Sequence, residues 1–262
     1  MNIVNTSFVP ADAFLGVRYV FSETELPGLT KIPDLGEHNG KETYLNPYAL
    51  PLAFVYDGSM LPDHDYQDPF LYLEEIWTSL SGEEANLFTE LKTTRTESEN
   101  TVTWKAEIPD GNVVLYGNLP WEEYNPAFLQ AGRGEVTGYA RWLSPSVFSI
   151  PYDENDQTVE ITITSEKPVS FLDEQFYALD LDRLQTLSDQ ISEGAEQVRN
   201  LQMENGKIQC TVTAHEGDSL FMTLPRTIGW RTYINGERVN TEEFGYCLTV
   251  IPLTEGENRI AT

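Results

Sequence analysis

Two runs constrain the fold of this chain more than any others: Thr158 to Thr164, read TVEITIT, and Lys207 to Thr213, read KIQCTVT. In each, apolar residues (Val159, Ile161 and Ile163; Ile208, Cys210 and Val212) alternate with polar ones. Only an extended strand sends successive side chains to opposite faces. Val102, Trp104, Ala106 and Ile108 alternate in the same way. Asp110-Gly111 and Asn205-Gly206 are tight-turn dipeptides beside such runs. The first, with Val113 to Tyr116 behind it, predicts a hairpin. Half-apolar strands bury their apolar face by stacking sheet on sheet. A mainly β fold with some α is predicted: a jelly-roll-like β-sandwich over residues 96–262, with a smaller α+β region over residues 1–95 in front.

Helices are predicted where the period changes. Asp68-Pro69 supplies an N-cap and a proline at the first helical position. Leu73, Ile76, Trp77 and Leu80 then recur at helical spacing, and Gly82 ends the run. Ser81-Gly-Glu-Glu84 has the form of a capping box and predicts a second short helix through Leu91. Within the sandwich, Asp180 caps a helix over about 180–193, with Leu181, Leu184, Leu187 and Ile191 as its stripe and Gly194 as its stop. Leu15 to Phe21 reads as a buried strand, and Lys41 to Leu45 and Leu52 to Tyr56 as two more around Asn46-Pro47. Lys92 to Thr101 is polar without periodicity and reads as a linker or long loop.

Charge excludes one class of partner. Lys and Arg number 16 against 42 Asp and Glu, a formal net charge of −26. Such a surface repels phosphate backbones, so nucleic acid is not expected as a partner. No run approaches the roughly 20 apolar residues that span a bilayer, and no charged-then-apolar leader opens the chain. The end, Glu257 to Thr262, reads as a strand stopped partway, as in a piece of a longer protein.

Side chains with chemistry are scattered. No Ser-His-Asp elbow, phosphate loop or zinc motif is present, so catalytic residues, cofactors and metal are each assigned as none. Asp57, Asp63, His64, Asp65 and Asp68 crowd one segment, but without calcium-loop spacing they read as a solvated acidic loop. His38, His64 and His215 read as surface histidines. Gly132-Arg133-Gly134 reads as a flexible loop. Cys210 and Cys247 read as two buried free thiols, a cross-strand disulfide requiring neighbouring strands. Trp104 reads as core. Trp121 and Tyr124, in a loop between prolines, and Trp142 are candidates for stacking on a sugar ring or a partner.

Leu220 to Val239 holds an apolar strand, a Gly229-Trp230 corner with Trp230 packed beside it, a short strand and an Asn235-Gly236 turn. Together with Leu15 to Phe21, Tyr44 to Phe54 and Phe176 to Asp180, this stretch resembles YfhO-type bacterial membrane proteins, the runs falling in the same order. Pro225, Gly229, Trp230, Asn235 and Gly236 carry the closing hairpin of that pattern. Arg226 stands where the pattern has an aromatic residue, and Asn235 where it has Asp. The resemblance implies the extracytoplasmic part of a multi-pass protein related to lipid-linked-sugar glycosyltransferases. Its expected partners are the rest of the parent protein and a cell-wall glycopolymer, such as teichoic acid, or a lipid-linked sugar. The implied role is non-catalytic acceptor docking. The alternative is a free-standing carbohydrate-binding sandwich or glycosidase accessory module.

Overall fold

The computed structural model describes residues 7–58, 68–120, 126–139, 147–168, 170–204, 206–226, 229–245 and 247–262. Helix α1 (Val9–Phe14) comes first, with Pro10 in its first turn, where a missing N–H leaves no bond unmade. Strands β1 (Tyr19–Ser22), β2 (Thr30–Lys31), β3 (Glu42–Leu45) and β4 (Ala53–Asp57) follow. Helix α2 (Pro69–Ser81) starts where Asp68 accepts the amides of Phe70 and Leu71, at 2.8 and 3.1 Å, and ends at Gly82 with φ 75°. Next come β5 (Phe88–Glu90), β6 (Thr93–Ser98), β7 (Thr101–Glu107), β8 (Val113–Asn118) and β9 (Ala127–Ala131). They are followed by β10 (Thr137–Tyr139), β11 (Phe148–Ser149), β12 (Thr158–Ser165) and β13 (Gln175–Asp180). Helix α3 (Leu181–Glu193) is capped by Asp180, which accepts Arg183 N at 2.9 Å. The remainder is β14 (Val198–Glu204), β15 (Lys207–Ala214), β16 (Asp218–Pro225), β17 (Thr232–Ile234), β18 (Glu237–Val239), β19 (Glu242–Phe244), β20 (Leu248–Pro252) and β21 (Gly256–Ala261).

These strands form two sandwiches. In the first, the sheet β10-β9-β12-β7-β6 faces the sheet β11-β8-β13-β5, and Trp104, Ile161 and Leu129 meet Leu115, Phe148 and Phe176 between them. In the second, β14-β15-β21-β17-β18 faces β19-β20-β16-β4, with Ile208, Val212 and Ile260 against Val55, Leu220 and Ile251. The inner sheet of each sandwich is apolar on its other face too. Val114, Tyr116 and Leu179 from one, and Phe54, Phe221 and Val250 from the other, close on α1, α2 and α3. The order of layers is therefore sheet, sheet, helices, sheet, sheet. Strands buried on both faces need unbroken apolar runs, and Ala53–Tyr56, Val113–Tyr116 and Leu220–Met222 are such runs. Strands β1, β2 and β3 make a small separate sheet in the order β1-β3-β2.

The fold is mainly β with stacked antiparallel sheets, and α2 and α3 stand where their caps and stripes predict. Several local expectations are corrected. Residues 83–87 are not helical: the Arg183 guanidinium takes Glu83 Oε1, Glu84 O and Ala85 O, Asn86 turns left-handed at φ 49°, and β5 pairs with β13. Lys92 to Thr101 is no linker. Its Thr93–Ser98 forms the edge strand β6 on β7, exposed throughout and so without alternation. In Leu15 to Phe21 only Tyr19 onward is strand, and Tyr19 and Phe21 are exposed. The strands on either side of Asp110-Gly111 do not pair as a hairpin. β7 lies between β6 and β12, β8 lies between β11 and β13, and the turn carries the chain from one sheet to the other. Gly132-Arg133-Gly134 is an ordered turn, with the Arg133 fork on both oxygens of Asp156 at 2.9 Å. Cys210 is buried and Cys247 exposed, and both are free. Burial pushes the Cys210 thiol up to about 11.

Glu74, on α2, holds β5 by accepting Phe88 N at 2.7 Å. Burial raises its carboxyl above the usual glutamate range, against the opposing pull of the Phe88, Leu87 and Asn86 amides and Arg183. With the folded pKa above the unfolded one, its contribution is fully present at low pH and is lost as pH rises through the folded value. In Glu74→Gln the acceptor remains and the charge is gone. The variant's stability margin over the parent should grow as pH is raised from about 4 to about 7, read by urea unfolding at each pH. A margin flat with pH would contradict this.

Candidate functional site at the sandwich corner

The segment from Pro225 to Thr241 is built by two crossings between the sheets of the second sandwich. Strand β16 slips register between Met222 and Pro225 and ends at Pro225. The chain then passes from the inner sheet to the outer one, where Thr232 opens β17. The turn between β17 and β18 has Asn235 at φ 53° and Gly236 at φ 87°, the two left-handed residues of a type I′ turn. Asn235 Oδ1 accepts Arg259 N at 2.9 Å and its Nδ2 donates to Glu257 O at 3.3 Å. An aspartate could make only the first of these bonds, which gives the asparagine a structural reason. After β18 the chain crosses back to β19. Strands β18 and β19 are edges of their sheets, so the second crossing joins edge to edge, and residues of both crossings line one cavity.

A cavity of about 510 Å3 opens there, lined among others by Arg226, Trp230, Arg231, Arg238, Asn240 and Thr249. Trp230 is 40% exposed and lines this cavity, so the expectation that it packs beside the corner is corrected to a surface position. A Cβ at Gly229 would meet open space, so crowding does not demand glycine there. Arg226 is tied to Glu243 at 3.1 Å and to Thr241 Oγ1 at 3.4 Å. Thr249, which also lines the cavity, donates its Oγ1 hydrogen to Leu224 O at 3.0 Å. Arg238 stands across the hairpin from Tyr233. On the far side of the Asn235-Gly236 turn, a second depression of about 720 Å3 is lined by polar groups including Gln202, Gln209, Thr211 and Arg259. A third, of about 500 Å3 beside the end of α3, is acidic, with Asp57, Glu193, Glu196 and Asp218 on its walls.

Trp121, Tyr124 and Trp142 lie outside the described residues, as do Asp63, His64 and Asp65. The described residues next to those segments are joined to one another. Gln175 donates to Asp68 at 2.8 Å and accepts from Asn118 at 2.6 Å, and Leu119 N donates to the Tyr139 hydroxyl at 3.0 Å. Trp104 is fully buried, as expected of core, and His38 and His215 are exposed. Among the described residues, no group of three or more His, Cys, Asp or Glu is placed to hold a metal ion. Sequence reasoning missed Arg231 and Arg238 as site residues. The available signal was three arginines between residues 226 and 238 of a chain this poor in basic side chains.

Residues 135–261 match the model of the family described as bacterial membrane protein YfhO. The span runs from just before β10 through β21 and contains the whole corner. No curated protein and no solved structure matches the chain. Among the described residues, no helix is long and apolar enough to cross a membrane.

Proposed function

From the match of residues 135–261 to the family of bacterial membrane proteins described as YfhO, we propose that this chain is a non-catalytic, extracytoplasmic docking domain. The parent would be a membrane protein related to the lipid-linked-sugar glycosyltransferases, and the docked molecule the cell-wall polymer that accepts the sugar. One observation carries the reading: Trp230 is exposed and lines a cavity built from the family-matched segment. An indole face at the surface is suited to the C–H face of a sugar ring. Trp121, Tyr124 and Trp142, the candidates that the sequence offers for stacking on a sugar ring, are proposed as further contacts with the same polymer. Purified wall glycopolymer titrated onto the chain should bind without being altered. Trp230→Ala should weaken binding roughly three- to tenfold, the equivalent of an aromatic contact of about 0.5–1.5 kcal/mol. Sugar transfer or hydrolysis by the isolated chain, or binding indifferent to Trp230, would overturn the reading.

A further inference from the structure

We propose that the corner cavity is an oxyanion subsite in which Arg231 and Arg238 hold a phosphate ester while Trp230 covers the group that the phosphate carries. The inference rests on the corner's being the docking site and adds the chemistry of what docks there. Charge is the first argument. With 42 acidic residues against 16 basic ones, the ordinary lining of a depression is carboxylate, as in the acidic one beside α3. Among the described residues, the corner cavity has the opposite lining: three arginines and no Asp or Glu.

Pairing is the second argument. Arg95, Arg133, Arg183, Arg226 and Arg259 each have a carboxylate within ion-pair distance. Among the described residues, Arg231 and Arg238 have none; Arg18 and Arg199 have none either but do not line the cavity. A guanidinium stays charged at every relevant pH, and its planar fork matches phosphate oxygens in bidentate fashion. Two free forks, with a third released if Arg226 leaves Glu243, offer more donors than one carboxylate can accept. That ion pair is open to solvent on both sides, where such pairs hold weakly. Charges farther than about 8 Å are screened at physiological salt. The bulk acidity of the chain therefore slows an anion's approach without cancelling the local arginines.

The test is calorimetric titration of the full chain at two salt concentrations. The probes are inorganic phosphate, a short glycerol-phosphate oligomer, a neutral oligosaccharide, and phosphatidylglycerol vesicles against phosphatidylcholine vesicles. The variants are R231Q/R238Q, the charge-keeping R231K/R238K, and R133Q as a surface control far from the corner in sequence. Phosphate-bearing probes should bind the parent, lose at least tenfold in R231Q/R238Q, lose less in R231K/R238K and be unchanged in R133Q. Binding should weaken with salt, and the salt dependence should shrink in the Gln variant. An Arg-dependent response to the soluble oligomer supports a polymer phosphate, and one to the anionic vesicles alone supports a lipid headgroup. Neutral oligosaccharide binding that needs Trp230 but not the arginines overturns this inference and leaves the docking reading standing. No binding of any probe or of wall polymer overturns both. R231Q/R238Q keeping full phosphate affinity overturns the subsite.

Discussion

Trp77→Ala is expected to destabilise the chain by about 3–5 kcal/mol, the cost of emptying a buried tryptophan site. Trp77 is completely buried on α2, and its indole Nε1 donates to Pro10 O at 3.2 Å. It belongs to the cluster that takes side chains from the inner sheets of both sandwiches, Tyr116 and Leu179 on one side and Phe54 and Phe221 on the other. Truncation would leave a cavity between two sheets that cannot close on it, because each is held from behind by its partner sheet. It would also remove the indole hydrogen bond to the Pro10 carbonyl. Denaturant unfolding followed by circular dichroism should show the loss as a lower midpoint. Trp77→Phe, which keeps most of the volume, should cost distinctly less. A Trp77→Ala loss under about 1 kcal/mol, the size of an ordinary surface or peripheral change, would contradict a load shared through the helical layer.

Gly194→Val is expected to cost about 3 kcal/mol, the upper part of the range for overpacking. The end of α3 is pressed against β4 so closely that a Cβ at residue 194 would lie 2.1 Å from the Val55 carbonyl oxygen and 3.2 Å from its carbon and nitrogen. The obstacle is backbone, which cannot rotate aside as a side chain would. Either α3 moves away from the inner sheet of the second sandwich or the β4–β16 pairing shifts. The same unfolding experiment should give a smaller loss for Gly194→Ala than for Gly194→Val, both below the parent. A Gly194→Val variant as stable as the parent would show that α3 does not dock as tightly as that distance requires.

The two glycine ends of the long helices show how far a sequence can be read. Gly82 announces itself because a left-handed residue after a helix is a local event. Gly194 reads the same way in sequence, yet it sits in right-handed backbone and is required by a contact with Val55. The same division holds elsewhere. Strands β12 and β15 alternate cleanly because one face of each meets the core and the other meets solvent. β6 is exposed on both faces and has no pattern to find. Strand pairing was legible at the Asn235-Gly236 hairpin, whereas β7 and β8, also neighbours across a turn dipeptide, lie in different sheets. β4 pairs with β16 because burying Phe54 and Phe221 on one face and Val55 and Leu220 on the other suits both strands, and nothing local encodes that. The Asn235-Gly236 turn was legible because its two positive φ angles select those residues. The arginine-lined cavity was not. Arg226 and Arg231 stand on one crossing and Arg238 on an edge strand, and only the return of the chain to that edge puts them on one wall.

The most direct measurement is a chemical-shift map of the isotopically labelled full chain, titrated with purified wall glycopolymer and observed through backbone amides and the indole and guanidinium groups. The docking account predicts that the largest perturbations fall on Trp230, Arg231, Arg238 and their neighbours between residues 225 and 241, and that they vanish in Trp230→Ala. Perturbations centred elsewhere, on the acidic depression beside α3 or the outer face of the first sandwich, with the corner silent, would contradict it.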